Sequence, residues 1–547
     1  MTTASMADRR FLDTRHAGLA AILVLAAFVR VWGLDFGLPH TQAHPDEQAT
    51  VSIALRFFTR TLNPAFFDWP SLFMYAVAAC FVAYFQVGRL IGWFPYESTF
   101  VAAGTTHPVP LFLIARGLSA ASGVLTVAAI YAAGLRLFDR ITGLIGAFFL
   151  ACAALHVRDS HFGVTDVAAT SLVTLSFLFT VKFASSGRHR EAIVSALWTG
   201  LAASTKYNAA LIALPLSWAI LHGRDPWNAR IGLLASCGLV AGVAFVAGTP
   251  YAVLDWQAFA AALESVAAHL RAGHAALAGP GWIVHLSTSL RYGLGLPLLV
   301  TGVAGLVLSV WRDRRSGLLL ALFPVTYYVL IGSGQTAFAR YIIPVVPFLC
   351  LAAAHFLVVA AGVFGRRLRR PAASPLIAWV FAAAVAAPSV MATVQTDRLL
   401  ARIDNRLIAA RWIRDRYPDG ATIAQTGSFS GNVQMAAADP SLAARYQSVD
   451  FHEPTGSFRT ATNRSSAPVL IIVVECPLPY CEAVSERLGG ILRDDYERQQ
   501  EFVAFDASSR SLVYDRDDDF YVPLAGMQDV IRPGPNLIVY RRRMPQD

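Results

Sequence analysis

Residues 17–34 read AGLAAILVLAAFVRVWGL, and ten residues later comes His44-Pro45-Asp46-Glu47. The first stretch is close to the roughly 20 apolar residues that a helix needs to cross a bilayer. Arg9, Arg10 and Arg15 precede it, and basic flanks stay on the cytoplasmic side. Read this way, the run is a first span with its N-terminus inside. Many apolar runs follow, so it is a retained span and not a cleaved signal peptide. The adjacent carboxylates of Asp46 and Glu47 then fall at the outer water–membrane boundary.

The rest of the chain follows from this start. Of 547 residues, 55% are hydrophobic and 15% charged, and the mean hydropathy is +0.49. Soluble domains carry about a quarter charged residues, so the chain reads as a polytopic membrane protein, mainly α-helical. Its net charge of +9 does not indicate nucleic acid, because the arginines fall in short clusters between apolar runs. Candidate spans are 17–34, 109–135, 141–157, 166–184, 191–205, 207–221, 231–249, 288–310, 317–332, 339–362 and 373–394. With these, Arg136/Arg140, Lys182/Arg188/Arg190, Arg224/Arg230, Arg312/Arg314/Arg315 and Arg366/Arg367/Arg369/Arg370 all fall on cytoplasmic loops. Residues 71–92 are long enough to cross, but a crossing there would move every later basic cluster to the other side. They are therefore expected to be embedded or interfacial. The stretch 46–61, with Gln48, Ser52, Arg56 and Arg60 on one stripe, reads as an amphipathic interfacial helix. The first outer loop then runs over 35–108, and residues 1–394 form the membrane domain.

Residues 395–547 are polar and of ordinary domain size. A helical pattern around Ala409–Ile413 ends near Pro418-Asp419-Gly420, and Val469–Val474 and Leu537–Tyr540 read as strands. A small extracytoplasmic α/β domain is expected. It shows no metal cluster, glycine-rich phosphate loop or nucleophile elbow in its sequence. Cys476 and Cys481 could pair there in an oxidising compartment.

Several polar groups fall on the expected outer side. Asp46 and Glu47 could simply open a helix after Pro45, acids beside the positive dipole end. The same dipole would keep Asp46 ionised, as a base should be, and adjacent residues point about 100° apart on a helix, so the two acids are expected to have different roles. The second outer loop holds His156, Arg158, Asp159, His161 and Asp166. Ionisable groups at a membrane boundary are functional candidates, although Asp166 could also cap the next helix. Lys206-Tyr207 and Arg340-Tyr341 place cations outside, against the charge trend. They would suit an anionic phosphate, or snorkel to headgroups. The loop 250–287, with His269, His274 and His285, reads as flexible and able to close over a lipid donor, or as merely irregular. His44, Asp46, His161 and Asp166 have donor chemistry for a divalent cation, with no diagnostic spacing.

Together these residues resemble the GT-C superfamily of polyprenyl-phosphate-sugar-dependent glycosyltransferases, nearest to bacterial relatives of the protein O-mannosyltransferases and lipid A aminoarabinose transferases. The motifs are Asp46-Glu47, Asp68-Trp69-Pro70-Ser71-Leu72, Asp166, Ser204-Thr205-Lys206-Tyr207 and Ala339-Arg340-Tyr341. Pro-Ser-Leu stands where the family has Pro-Pro-Leu, and no Lys precedes it as in the aminoarabinose transferases. The resemblance implies that Asp46, Glu47 and Asp166 are catalytic, Asp46 as the base. It also implies that Lys206 and Arg340, with Tyr207 and Tyr341, hold the donor phosphate. His44, Asp68, Trp69, Arg158, Asp159 and His161 would line the substrate cavity. The expected activity is inverting transfer of a sugar from a polyprenyl-phosphate donor to a hydroxyl on a lipid, glycan or protein. It would take place at the outer face of a bacterial inner membrane and require no cofactor, while Asp46, Asp166 and His161 would be the ligands of a divalent metal if one is used. A transporter or lipid flippase relaying through Asp46, Asp159 and Asp166 is the alternative, and it would be expected to show an internal repeat. A receptor or assembly factor working through the tail is a third reading.

Overall fold

A computed structural model describes residues 3–59, 61–274, 279–428, 430–441, 443–476, 478, 479, 481 and 484–543, with side chains from residue 17 onward. Arg60 of the expected amphipathic stripe, and the side chains of Arg9, Arg10 and Arg15, lie outside what is described. The chain forms two compact units. The first comprises residues 1–32, 50–87 and 114–394; the second comprises 33–49, 88–113 and 395–547.

The first unit is a helical bundle. Most expected spans are helices: Thr3–Val31, Val109–Leu137, Thr165–Ser186, His189–Ala203, Trp227–Gly248, Arg314–Gly332 and Ser374–Leu400. Among the described residues seven helices are long and apolar enough to cross a membrane, or eight if one bent pair is a single span. The chain is thus a multi-pass membrane protein. Leu72–Leu90 is among the seven by length and composition, and the amphipathic stretch forms the helix Pro45–Arg56.

Four segments depart from straight spans, each for a local reason. The pair Gly281–Leu294 and Leu296–Arg312 is bent by 112° at Gly295, whose φ of +77° suits glycine. Tyr207–Ile212 and Ala339–Val345 open their spans as 3-10 turns, and Pro344 and Pro347 deny the second one regular helical hydrogen bonds. The expected span 141–157 breaks after Arg140–Ala151 and restarts as Ala154–Asp159. Polar side chains satisfy the freed backbone, the condition for a broken helix at membrane depth. Ser389 and Thr393 donate to the Cys152 carbonyl at 2.9 and 3.0 Å, and Ala154 N–H donates to Ser389 Oγ at 3.2 Å.

The loop expected to be flexible, 250–287, is largely helical. Its Ala-rich centre forms Trp256–Ala272, as alanine's helix propensity favours. The helix end docks on the segment before Arg340: Gln335 N–H donates to the Leu270 carbonyl at 2.9 Å, and Thr336 Oγ1 to the His269 carbonyl at 2.9 Å.

The second unit carries a six-stranded mixed sheet. Its strands are β1 (Thr422–Gln425), β2 (Gln447–His452), β3 (Ser457–Thr460), β4 (Leu470–Glu475), β5 (Tyr496–Phe502) and β6 (Asn536–Arg542), in the order β3-β2-β1-β4-β6-β5. β1 runs parallel to β2 and β4, and the other pairs are antiparallel. β4 is apolar from Leu470 to Val474 because both its faces are covered there. Leu470, Ile472 and Val474 pack with Ala409, Ala410 and Ile413 of the helix Asn405–Arg416, whereas Ile471 and Val473 pack with Leu488 and Leu492 of Glu486–Asp495. Cys476 and Cys481 form a disulfide. The α/β character expected of the tail is what the structure has.

Candidate functional site

In the first unit three distant parts of the sequence meet. Asp166 lies in the first turn of Thr165–Ser186, is 3% exposed, and pairs with Lys206 Nζ. It does not cap its helix: the N-cap is Val164, with no side-chain bond. The Lys206 ammonium lies 4.6 Å from the centroid of the Tyr341 ring. Arg340, 6% exposed, has its guanidinium carbon 5.8 Å from the same ring and 4.0 Å from that of Phe338. Tyr327 Oη donates to the Tyr341 carbonyl at 3.0 Å and ties this turn to the helix Arg314–Gly332. Two cations and one carboxylate are thus gathered at one aromatic ring.

This cluster and an arginine-rich region sit at opposite ends of the bundle. Helix Thr165–Ser186 runs about 30 Å from Asp166 to its far end, roughly the thickness of the hydrocarbon layer. There Arg315 donates to the Ala184 carbonyl at 3.1 Å. Arg136, Ser185, Arg315 and Ser316 line a cavity of about 130 Å³ at that end.

The second outer loop is built inward. Arg158 and Asp159 are both buried, with Nη1 3.7 Å from Oδ2, and Arg158 lies 5.5 Å from the Phe162 ring centroid. His161 has Nδ1 3.0 Å from the Val157 carbonyl and Nε2 3.1 Å from that of Trp32, so both ring nitrogens face backbone oxygens. Arg30, near the end of the first span, is a structural staple. Its Nε donates to Ser160 Oγ at 3.2 Å, Nη1 to the Ala26 and Ala151 carbonyls at 3.0 and 3.2 Å, and Nη2 to the Leu150 carbonyl and His156 Nδ1 at 3.2 and 2.9 Å. It closes the C-terminus of Arg140–Ala151, where a cation suits the dipole.

Tyr207 turns away from Lys206, and its hydroxyl donates to the Phe67 carbonyl at 2.9 Å. Asp68 beside it is exposed and Trp69 is half-buried, with its ring 4.5 Å from Phe66.

His44, Asp46 and Glu47 belong to the second unit. Both acids stand in the first turn of Pro45–Arg56. Glu47 is fully buried and Asp46 half-buried. His44 is fully buried, with Nε2 3.9 Å from Asp518 Oδ2. His40, also fully buried, has its pKa pushed down to about 3, by burial first and then by the charge of Arg406. Nearby, Arg406 holds Asp404 with Nε at 2.9 Å and Nη2 at 2.7 Å. Burial raises the Asp519 carboxyl and pushes the Tyr521 hydroxyl up to about 12. The sequence reading missed this acidic run, Asp515 to Asp519. Its signal was four aspartates in five positions directly before Phe520-Tyr521. Among the described residues no three or more His, Cys, Asp or Glu come together as a metal site.

Comparison with known proteins bears on this architecture. A family model described as dolichyl-phosphate-mannose-protein mannosyltransferase matches residues 112–263. No curated protein matches the chain. Among solved structures, ArnT from Cupriavidus metallidurans bound to undecaprenyl phosphate has a TM-score of 0.55 at 14% identity, covering 96% of this chain and 98% of that one. The Archaeoglobus fulgidus oligosaccharyltransferase in the apo form has a TM-score of 0.51 at 12% identity, covering 96% and 88%. That archaeal protein, AglB, in complex with an inhibitory peptide and a dolichol-phosphate, gives the same values. At these identities the likeness is one of fold. Family match and fold agree with the GT-C resemblance carried by the sequence motifs.

Proposed function

We propose, from a chain with the fold of the GT-C membrane glycosyltransferases, that it moves a sugar from a polyprenyl monophosphate to an acceptor hydroxyl with inversion. The observation that carries this is the meeting of Lys206, paired with Asp166, and Arg340 at the Tyr341 ring. Arg offers a phosphate a bidentate fork and Lys a point charge, and a sugar phosphate is an anion on a lipid tail that can lie between helices. ArnT bound to undecaprenyl phosphate and AglB bound to a dolichol-phosphate support the donor class. Lys206 and Arg340 stabilise the charge that grows on the phosphate as it leaves. Asp166 holds the Lys206 ammonium in place, and Tyr341 offers both cations a ring face.

Asp46 takes the acceptor proton. The freed oxygen bonds to the anomeric carbon as the carbon–oxygen bond to phosphate breaks, and the electron pair leaves on the phosphate. The leaving group needs no proton, so one base suffices, unlike the carboxylate pairs of glycoside hydrolases. The scheme uses no cofactor. The acceptor is a lipid, glycan or protein hydroxyl. Reaction takes place on the extracytoplasmic side of a plasma membrane. In support, the cluster lies at the bundle end opposite Arg136 and Arg315, and arginines favour the cytoplasm.

Two experiments test this. Purified protein given a panel of undecaprenyl-phosphate sugars and a cell-envelope extract should release undecaprenyl phosphate, and Asp46→Asn should bind donor yet lose at least about 100-fold in rate. Near-normal turnover by that variant removes Asp46 from the scheme. A cysteine at Leu62, 60% exposed, should react with an impermeant thiol reagent in intact cells; reaction only after permeabilisation places that loop inside.

A further inference from the structure

The loop that delivers Asp46 and Glu47 is gripped by residues nearly 400 or more positions later. Phe520 has its ring centroid 5.7 Å from that of Phe36 and 5.7 Å from that of His44. His44 Nε2 lies 3.9 Å from Asp518 Oδ2, with both side chains buried. His40 Nε2 donates to the Asn432 carbonyl at 2.8 Å. Gln434 Oε1 accepts from Thr41 N–H at 3.3 Å. The loop between these points has no slack: Gly37 has φ +65°, and a Cβ there would fall 2.3 Å from that of Ala43.

Behind Asp518 and Phe520 stands a rigid support. Arg406 clamps Asp404 with two nitrogens, donates to the Ser430 carbonyl and lies 5.2 Å from the Tyr521 ring centroid. Ser430 donates to Asp519, and Ser428 meets Tyr521 Oη at 3.3 Å. The disulfide of Cys476 and Cys481 packs with Tyr514 and Tyr521 on the other side. Buried hydrogen bonds linked in this way restrict the conformations open to the segment they join.

We propose that Asp518 and Phe520 are positioning residues of the transferase. They hold His44, and His44 sets where the helix carrying Asp46 and Glu47 begins. The residue before a proline has a restricted backbone, so fixing the His44 side chain fixes the entry into Pro45 and the first turn. The C-terminal domain is then scaffold for the catalytic loop, whatever else it binds. This rests on the reading of Asp46 as base. A displacement of about 1 Å at such a group can cost about 100-fold in rate.

The test uses the full chain in lipid nanodiscs, with Asp518→Asn and Phe520→Ala. Hydrogen exchange is followed over residues 36–47, and turnover by release of undecaprenyl phosphate from the donor panel. Exchange should quicken at least about fivefold, and kcat should fall about 10- to 100-fold with donor KM within about twofold. His44→Ala combined with Asp518→Asn should lose no more than the worse single variant. Unchanged exchange in both variants overturns the proposal, as does quickened exchange with unchanged kcat, or losses that multiply in the double variant. If Phe520→Ala fails to fold, Asp518→Asn alone decides. If Asp46→Asn turns over normally while Asp518→Asn still loosens 36–47 and slows turnover, the base assignment fails and the positioning role stands.

Discussion

The Asp166–Lys206 pair separates what stabilises the bundle from what serves chemistry. The two side chains are 4% and 13% exposed, so each charge is largely cut off from water. Removing one partner of such a pair leaves the other buried and uncompensated, at a cost of about 3–5 kcal/mol, whereas replacing both by neutral groups of similar size is often close to neutral. Lys206→Met and Asp166→Asn should therefore each lower stability by about 3 kcal/mol or more, and the double variant should recover most of that loss. The coupling read from the cycle, the sum of the two single losses less that of the double variant, would be about 5 kcal/mol or more. Turnover should behave differently. Lys206→Met and the double variant both lack the ammonium, so both should lose about 10- to 100-fold, the value of a charge-assisted hydrogen bond to phosphate. The assay is thermal unfolding of the full chain in detergent beside donor turnover for the four proteins. A double variant whose loss is the sum of the two single losses would refute the pairing argument. A double variant that regains turnover together with stability would reduce Lys206 to a structural residue.

Other expected outcomes follow from the same geometry. Arg30→Met strips partners from the buried carbonyls of Leu150 and Ala151 and should cost about 3–5 kcal/mol; a loss within about 0.5 kcal/mol in thermal unfolding would refute its stapling role. His40 has its pKa lowered from 6.5 to about 3. Between those values the unfolded chain binds a proton that the folded chain refuses, so stability falls as pH drops, by about 1.4 kcal/mol per unit from this residue. His40→Gln should therefore lose less stability than the wild type between pH 6.5 and 5, and parallel slopes would refute the assignment. A Cβ on Gly305 would fall 2.0 Å from the Ala352 carbonyl oxygen, so Gly305→Val should force apart Leu296–Arg312 and Val346–Arg367 and lower the melting temperature, whereas an unchanged one contradicts that packing.

Much of the bundle was legible because each span announces itself by apolar length. Breaks inside spans were not. Cys152 and Ala153 look like any other apolar pair, and the break depends on Ser389, Thr393 and Arg30, which arrive from other helices. The loop 250–287 was misjudged because its histidines and glycines drew attention from the alanines that make Trp256–Ala272 a helix. In the site, Asp166, Lys206, Arg340 and Tyr341 were each conspicuous as polar groups beside apolar runs, and they do converge. Tyr207 was conspicuous too, yet its hydroxyl is used by Phe67. The grip of Asp518 and Phe520 on His44 joins positions more than 470 apart, and nothing local in either segment announces the other.

The account depends most on a phosphate held by Lys206 and Arg340. Its most direct test is saturable binding of undecaprenyl phosphate to the purified full chain, with undecaprenol as competitor. Binding that undecaprenol fails to displace, and that Lys206→Met and Arg340→Met each weaken by about tenfold or more, is the predicted result. Equal affinity in the wild type and both variants, or full displacement by undecaprenol, would contradict it.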